Sequence, residues 1–366
     1  MYEVIRPEYE FRDRILQLMI DNKWSDLYLT VWAYPALKLA WEIIKIEDGP
    51  NVNILSWKDT MEFTQSLITE KQHDTLVKNR NLDFSFRYMD RMFRCNLSFQ
   101  LSNYMIVIRL LNDHIPTVED LNLSEAYKSI SNKSQWLVLV TWPTWSWKTT
   151  TLAAIINYIN ENYARHIITI EDPVEYVHPH KKSIIEHKEV WKDVYSYETA
   201  LMWAMRQNPD VIMFWEMRSK EQMEMALRLA ETWHLVLSTL HTRSAHQTIT
   251  RIIDAFPGEE KAQIRVQLAD SLLAVFSQRL LKWRTWTSVK MAKEILLKNT
   301  AVSNLIRENE LHQIPSVIQT WGREGMQLLE TDLIWLVWAW QVSLEEALRY
   351  ANNPKLVEQA IILQTS

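Results

Sequence analysis

Near the start of the chain the apolar positions recur at helical spacing. Phe11, Ile15, Leu18 and Met19 share one face, which predicts a helix over residues 5–23. From Ser25 to Val31 (SDLYLTV) and from Leu39 to Glu47 (LAWEIIKIE) the pattern turns to alternation or short apolar runs, as strands do. Residues 58–79 return to a helical period. DFSFRY, FRCNLSFQL and MIVIRLL then predict three more strands, the last ending at Leu111. Together these elements predict an α+β domain with an antiparallel sheet over residues 1–111. The stretch from Leu111 to Leu123, with Pro116 and its acids, reads as a connection, and residues 112–134 are assigned as a linker.

Beyond it the pattern changes. WLVLV (136–140), HIITIED (166–172), VIMFWE (211–216) and LVLSTLHT (235–242) are mostly apolar, with no solvent face, and helical stretches separate them. Such alternation predicts a mostly parallel sheet covered on both sides. After Phe256-Pro257-Gly258 the chain reads as helical, apart from one strand near Ser288 to Leu297. The second domain is therefore placed at 135–366, and the fold class is α/β. No repeat of fixed period and no low-complexity tract interrupts it.

Composition narrows the function classes. The chain has 366 residues, enough for two domains with separate cores. A formal charge of −5 gives no sign of a general nucleic-acid binder. The lone Cys95 excludes a disulfide framework and a cysteine-based zinc site, and fits a reducing compartment. MYEVIRPEYEF carries acids and no apolar core, unlike a signal peptide. The longest apolar run, Leu333 to Trp340, falls far short of the roughly 18 residues of a membrane span. The expectation is a soluble cytoplasmic protein with no direct membrane insertion.

One composition figure stands apart. There are 18 Trp and only 4 Gly, where glycine usually makes up about 7% of residues. Several Trp fall where a turn is expected, as in Lys23-Trp24-Ser25 and Lys282-Trp283.

The candidate chemistry gathers on the second domain. The strand Trp136 to Val140 leads through a Pro-containing turn to Lys148, Thr149 and a helical segment from Thr150 to Tyr158. That is the frame of a phosphate-binding loop, G-x-x-x-x-G-K-[ST]. Trp142 and Trp147 occupy the glycine positions, with Trp145 between them. Backbone N–H groups must wrap a phosphate closely in such a loop, which Cβ atoms obstruct. The next apolar strand runs into Glu171-Asp172-Pro173-Val174-Glu175, carboxylates at a strand end where α/β sheets bind ligands. An acidic surface turn has the same composition. VIMFW closes on Glu216, as many strands close on an acid. His234 and His241 flank LVLSTL. Each alone reads as a hydrogen-bonded structural histidine, and together they fit a phosphate-sensing pair.

In order and spacing these segments resemble the secretion-ATPase family, and within it the pilus-retraction branch. TWPTWSWKTTTLAA is similar to the family's Walker A, IEDPVEYVHPH to its Asp box and NPDVIMFWEMR to its Walker B. ETWHLVLSTLHTRSA is similar to the His box, and AVSNLIRENELHQIPS to a C-terminal motif linked to retraction. SDLYLT and VIRLL…IPT match the N-terminal domain, so nearly the whole chain is covered. The resemblance implies a PAS-like N-terminal domain and a RecA-like ATPase domain with a helical C-terminal part, assembled as a homo-hexamer. It implies ATP and Mg2+, and an inner-membrane pilus platform protein as partner. Trp142, Pro143, Thr144, Trp145, Ser146, Trp147, Lys148, Thr149 and Thr150 would form the phosphate loop, with Thr149 and Glu216 toward the metal. Glu175 and Glu216 would share the water-activating and metal-organising roles, in an order left open. His234 and His241 would contact the γ-phosphate region, and Arg94 and Arg109 would reach nucleotide on a neighbouring subunit. The implied activity is pilus retraction by pilin disassembly; a secretion or DNA-uptake ATPase, or a catalytically dead ring subunit, are the alternatives. Extension ATPases usually carry a four-cysteine zinc site and a further N-terminal domain, so one cysteine and a short N-terminus favour the retraction type.

Trp32, Trp41, Trp142, Trp145, Trp147, Trp191, Trp215, Trp233 and Trp321 all fall where the family has glycine, while Gly325 is kept. Drift would substitute many residue types. A single replacement type points to decoding: UGA encodes glycine in some bacterial lineages, and reading it as Trp gives this pattern.

Overall fold

The structure, a computed structural model, describes residues 10–22, 24–39, 42–47, 53–111, 114–142, 148–284 and 289–365. The chain divides into two compact units, 1–114 with 172–177 and 115–171 with 178–366.

The first unit contains α1 (Glu10–Asn22), β1 (Asp26–Leu29), β2 (Ala36–Leu39), β3 (Glu42–Lys45), α2 (Trp57–Leu67), α3 (Glu70–Asn79), β4 (Asn81–Tyr88), β5 (Arg91–Gln100) and β6 (Asn103–Leu110). Its strands pair antiparallel in the order β3-β2-β1-β6-β5-β4. Alternate residues Phe93, Cys95 and Leu97 of β5 and Ile106 and Ile108 of β6 are fully buried against Leu16 and Met19 of α1. Each such side chain contributes about 1.5–3 kcal/mol on burial. The helix expected over 58–79 is two. Ile68 is extended and ends α2, and Thr69 opens α3 with a reciprocal capping box to Gln72. Of the strand expected over 39–47, β3 covers Glu42–Lys45, while β2 ends at Leu39.

The second unit contains α4 (Glu125–Ser131), β7 (Trp136–Thr141), α5 (Lys148–Asn162), β8 (His166–Glu171), β9 (Ile184–Glu189), α6 (Tyr197–Ala204), β10 (Val211–Phe214), α7 (Lys220–Glu231) and β11 (Leu235–Leu240). There follow α8 (Ala245–Asp254), α9 (Lys261–Ser271), β12 (Leu272–Lys282), β13 (Val289–Leu297), α10 (Thr300–Arg307), α11 (Ile314–Thr320), α12 (Leu329–Trp338), α13 (Leu344–Tyr350) and α14 (Pro354–Thr365). The sheet order is β13-β12-β7-β11-β10-β8-β9, parallel except for the β12–β13 pair. Leu137, Leu139, Ile212, Phe214 and Val236 bury into one core, and Val138, Val140, Val211, Met213, Leu235 and Leu237 into another. Both faces are covered, as the uninterrupted apolar runs imply.

Two expectations are corrected here. β12 lies in a stretch read as helical, because LLAVFSQRLLK places apolar residues at spacings that fit either period. The stretch read as a linker supplies core residues: Val118, Leu123, Ala126 and Ile130 are buried, and the Tyr127 ring stacks on Phe276 at 3.8 Å. Among the described residues no helix is long and apolar enough to cross a membrane.

Candidate functional site

The parallel strands β7, β11 and β10 are neighbours in the sheet, so their C-terminal ends open on one edge. That is where α/β sheets hold ligands. β7 delivers Thr141 and Trp142 there. Trp142 is 3% exposed and its N–H donates to the Leu240 carbonyl at 3.3 Å. Pro143, Thr144, Trp145, Ser146 and Trp147 lie outside the described residues, as does the side chain of Lys148. α5 begins at Lys148 and points its N-terminus, the positive end of its dipole, at the same edge. Thr149 is buried in its first turn and Thr150 half-buried.

β10 delivers Glu216. The N–H of Trp215 donates to the Ile170 carbonyl and that of Met217 to the Thr239 carbonyl, at 2.9 and 3.0 Å. Glu216 is pinned between these bonds at φ +64°, a left-handed conformation that costs a non-glycine residue about 1–3 kcal/mol. Its carboxylate is nearly buried. One oxygen lies 3.0 Å from Nε2 of His241, at the end of β11. The other accepts from Nε and Nη2 of Arg218 at 2.9 and 2.8 Å. A buried carboxylate held by two cationic or polar partners keeps a fixed direction, as a group acting on a metal or a water must.

The other expected residues divide. His234 precedes β11, at the opposite end from His241, and six strand residues at about 3.3 Å each separate them. Its Nδ1 is 3.1 Å from the Leu229 carbonyl in the last turn of α7, so it caps that helix and does not join His241 beside Glu216. β8 ends at Glu171, which is buried with its Oε1 3.8 Å from Nδ1 of His187, itself 2.8 Å from the Thr169 hydroxyl. In the first unit, Arg94 and Arg109 are cross-strand partners on β5 and β6. Arg109 donates to Asp26 at 2.7 Å, and Nη1 of Arg94 lies 3.8 Å from Glu175. Among the described residues no group of three or more His, Cys, Asp or Glu is arranged to hold a metal.

Sequence reasoning did not find the residues that brace this edge. The Thr141 hydroxyl meets that of Ser277 at 2.9 Å, and Thr151 in α5 exchanges hydrogen bonds with the Gln278 amide at 2.9 and 3.1 Å. Both partners lie on β12, so recognising that run as a strand would have exposed them.

The type II/IV secretion system protein family matches residues 75–317. The type IV pilus retraction ATPase PilT of Pseudomonas aeruginosa is 39% identical over 332 residues, covering 90% of this chain and 95% of that protein. A twitching motility protein of Neisseria gonorrhoeae is 41% identical over 304 residues, 83% of this chain and 81% of its own length. The crystal structure of the pilus retraction motor PilT with bound ADP superposes with a TM-score of 0.88 at 39% identity, covering 95% of this chain and 98% of that one. The Legionella pneumophila ATPase DotB, 22% identical with a TM-score of 0.80 over 94% of this chain and 95% of its own, shares the fold. With an α/β edge carrying a buried acid beside a helix N-terminus, and with relatives matched over nearly their whole length, this chain belongs to the type II/IV secretion system protein family.

Proposed function

We propose that this chain is the ATP-hydrolysing subunit of a homo-hexameric ring that powers type IV pilus retraction by pilin disassembly. It would work at the cytoplasmic face of the inner membrane, against the pilus platform protein. The observation that carries the reading is Glu216, held in a strained conformation against His241 and Arg218 beside the strand that feeds the phosphate loop. The relatives named for retraction and twitching motility support the choice of motor over a secretion or DNA-uptake ATPase.

In this reading residues 142–150 form the phosphate loop, with Lys148 neutralising the terminal phosphates. Mg2+ bound with ATP would supply positive charge that offsets the negative charge developing on transfer. Thr149, in the first turn of α5, and Glu216 are the oxygens that would hold it. His241 would report on the γ-phosphate through Glu216. Glu175 would orient the attacking water, and Arg94 and Arg109 would complete the site of a neighbouring subunit.

The reading includes glycine in the native polypeptide at Trp142, Trp145 and Trp147. Support comes from elsewhere in the chain. Trp32, Trp191, Trp233 and Trp340 have φ of 61°, 70°, 67° and 56°, and Trp136 has φ 105°. Left-handed backbone favours glycine, while an indole there is strained. The first four are also 68–76% exposed, so burial gives no reason for the side chain. Hereafter the glycine form means glycine at Trp136, Trp340 and the nine family-glycine positions. Mass spectrometry of protein from the source cell tests this directly. The tryptic peptide from Ser134 to Lys148 weighs as glycine if the reading holds. Tryptophan masses would favour a catalytically dead ring subunit. Deleting the gene tests the motor: cells should stay piliated and stop twitching, and unaltered twitching would reject retraction.

A further inference from the structure

β12 touches both flanks of the phosphate loop and the segment carrying His241, and it does so with three consecutive residues. Ser277 meets Thr141 at the end of β7. Gln278 exchanges hydrogen bonds with Thr151 in α5. Arg279, 3% exposed, donates through Nη2 to the carbonyl of Arg243, two residues past His241. The partner strand completes the grip: the Glu294 carboxyl of β13 accepts from the backbone N–H of Ala245 at 2.5 Å. The loop from β11 to α8 is thus clamped on a carbonyl at 243 and on an N–H at 245. Inside it, the Thr242 hydroxyl meets that of Thr248 at 2.6 Å and Ser244 caps α8. The His241 side chain is 44% exposed, and its Nε2 lies 3.0 Å from the Glu216 carboxylate.

We infer that Arg279 and Glu294 are positioning residues for hydrolysis, holding the 241–245 loop so that His241 stays against Glu216. The inference rests on the proposed ATPase activity. Several facts single out this pair from ordinary core contacts. Both are ionisable and buried where apolar residues would cost less, a placement that needs specific partners. Each bonds the backbone of that loop, Arg279 donating through Nη2 and Glu294 accepting from Ala245, while Nη1 of Arg279 donates to the Gln278 carbonyl on its own strand. Burial pushes the Glu294 carboxyl up to about 7 and the Arg279 guanidinium down to about 10. The charged groups facing them are Glu330 on α12 and Arg243 in the loop itself. Asp332 of α12 meanwhile accepts from the N–H of Lys293, so the C-terminal helices hold the same strand that carries Glu294. The strand pair therefore gives those helices a physical route to the γ-phosphate side of the site.

The test is a double-mutant cycle in the glycine form of the full chain. Glu294→Ala should lower kcat about tenfold to a hundredfold, the scale of a misplaced catalytic group, with nucleotide affinity within about threefold. Glu294→Gln, which keeps an oxygen for Ala245, should recover most of that loss. In a His241→Ala background Glu294→Ala should cost less than about twofold, because the group it positions is already gone. Equal losses in both backgrounds would overturn the inference. So would a Glu294→Ala variant with unchanged kcat. If Glu294→Ala does not fold, Arg279→Lys takes its place in the same cycle under the same criteria. Amide exchange over 241–245 gives an activity-free readout: protection of Ala245 should fall in the variant while that of β11 is retained, and unchanged protection would overturn the clamp. A glycine form that binds ATP but turns none over would instead reject the proposed function.

Discussion

The left-handed tryptophans give a stability prediction that can be worked from geometry. Trp191, Trp233 and Trp340 lie in the second unit, at φ 70°, 67° and 56°, with 76%, 74% and 72% of their surface exposed. A Cβ in this region costs about 1–2 kcal/mol. Truncating each indole to alanine keeps that cost, and truncating to glycine removes it. Little burial is lost either way. At Trp340 the Arg284 guanidinium, 4.4 Å from the ring centroid, loses its partner equally in both variants. Glycine should therefore be about 1 kcal/mol more stable than alanine at each position, and about 3 kcal/mol at all three combined if the sites are independent. That is a large part of the 5–15 kcal/mol by which domains are stable. Trp335, inside α12 and half-exposed, is the control: there glycine should be about 1 kcal/mol less stable than alanine. Urea unfolding of the paired variants, compared by midpoint at constant slope, reads the difference. Glycine no better than alanine at the three sites, or the same sign at Trp335, refutes the reasoning.

Further expectations follow from the site. Glu216→Gln in the glycine form should bind nucleotide and lose turnover by at least about a hundredfold, because the amide keeps shape without charge; near-parent turnover removes Glu216 from the mechanism. Mixing Arg94→Ala with Lys148→Ala subunits should restore part of the activity, through interfaces that pair an intact arginine with an intact loop. Co-assembled rings with strictly additive loss would place the arginine's role within its own subunit. Glu294 titrates near 7 when folded and near 4.5 when unfolded, so the protonated acid is the form folding favours. Its contribution is full below pH 4.5 and lost as pH rises through 7, about 3 kcal/mol over that window. Glu294→Gln lacks this dependence, so the stability of the parent relative to the variant should fall as pH rises from 4.5 to 7.5. A constant difference would show that Glu294 does not titrate there.

Much of the fold was legible because each signal was local. β7, β8, β10 and β11 are short apolar runs with no polar face, and only a doubly covered sheet accommodates them. β12 was not legible: Leu272, Val275 and Leu281 recur as well at helical as at strand spacing, and only pairing with β7 decides. The break between α2 and α3 was written in Thr69 and Gln72, a three-residue signal inside a longer helical period. Of the site, Glu216 and His241 were found as types at strand ends, but their 3.0 Å contact depends on which strands are neighbours. The separation of His234 from His241 was hidden for the same reason, since a residue before a strand and one after it are close in sequence and far apart in the sheet. The clamp from Arg279 and Glu294 acts on backbone atoms, which carry no side-chain signature in the sequence.

ATP hydrolysis by the glycine form, measured with and without Mg2+ beside the chain carrying Trp142, Trp145 and Trp147, tests the central claim most directly. The expected result is Mg2+-dependent turnover in the glycine form, abolished by Glu216→Gln, and neither binding nor turnover in the tryptophan chain. A folded glycine form that neither binds nor hydrolyses ATP would contradict it.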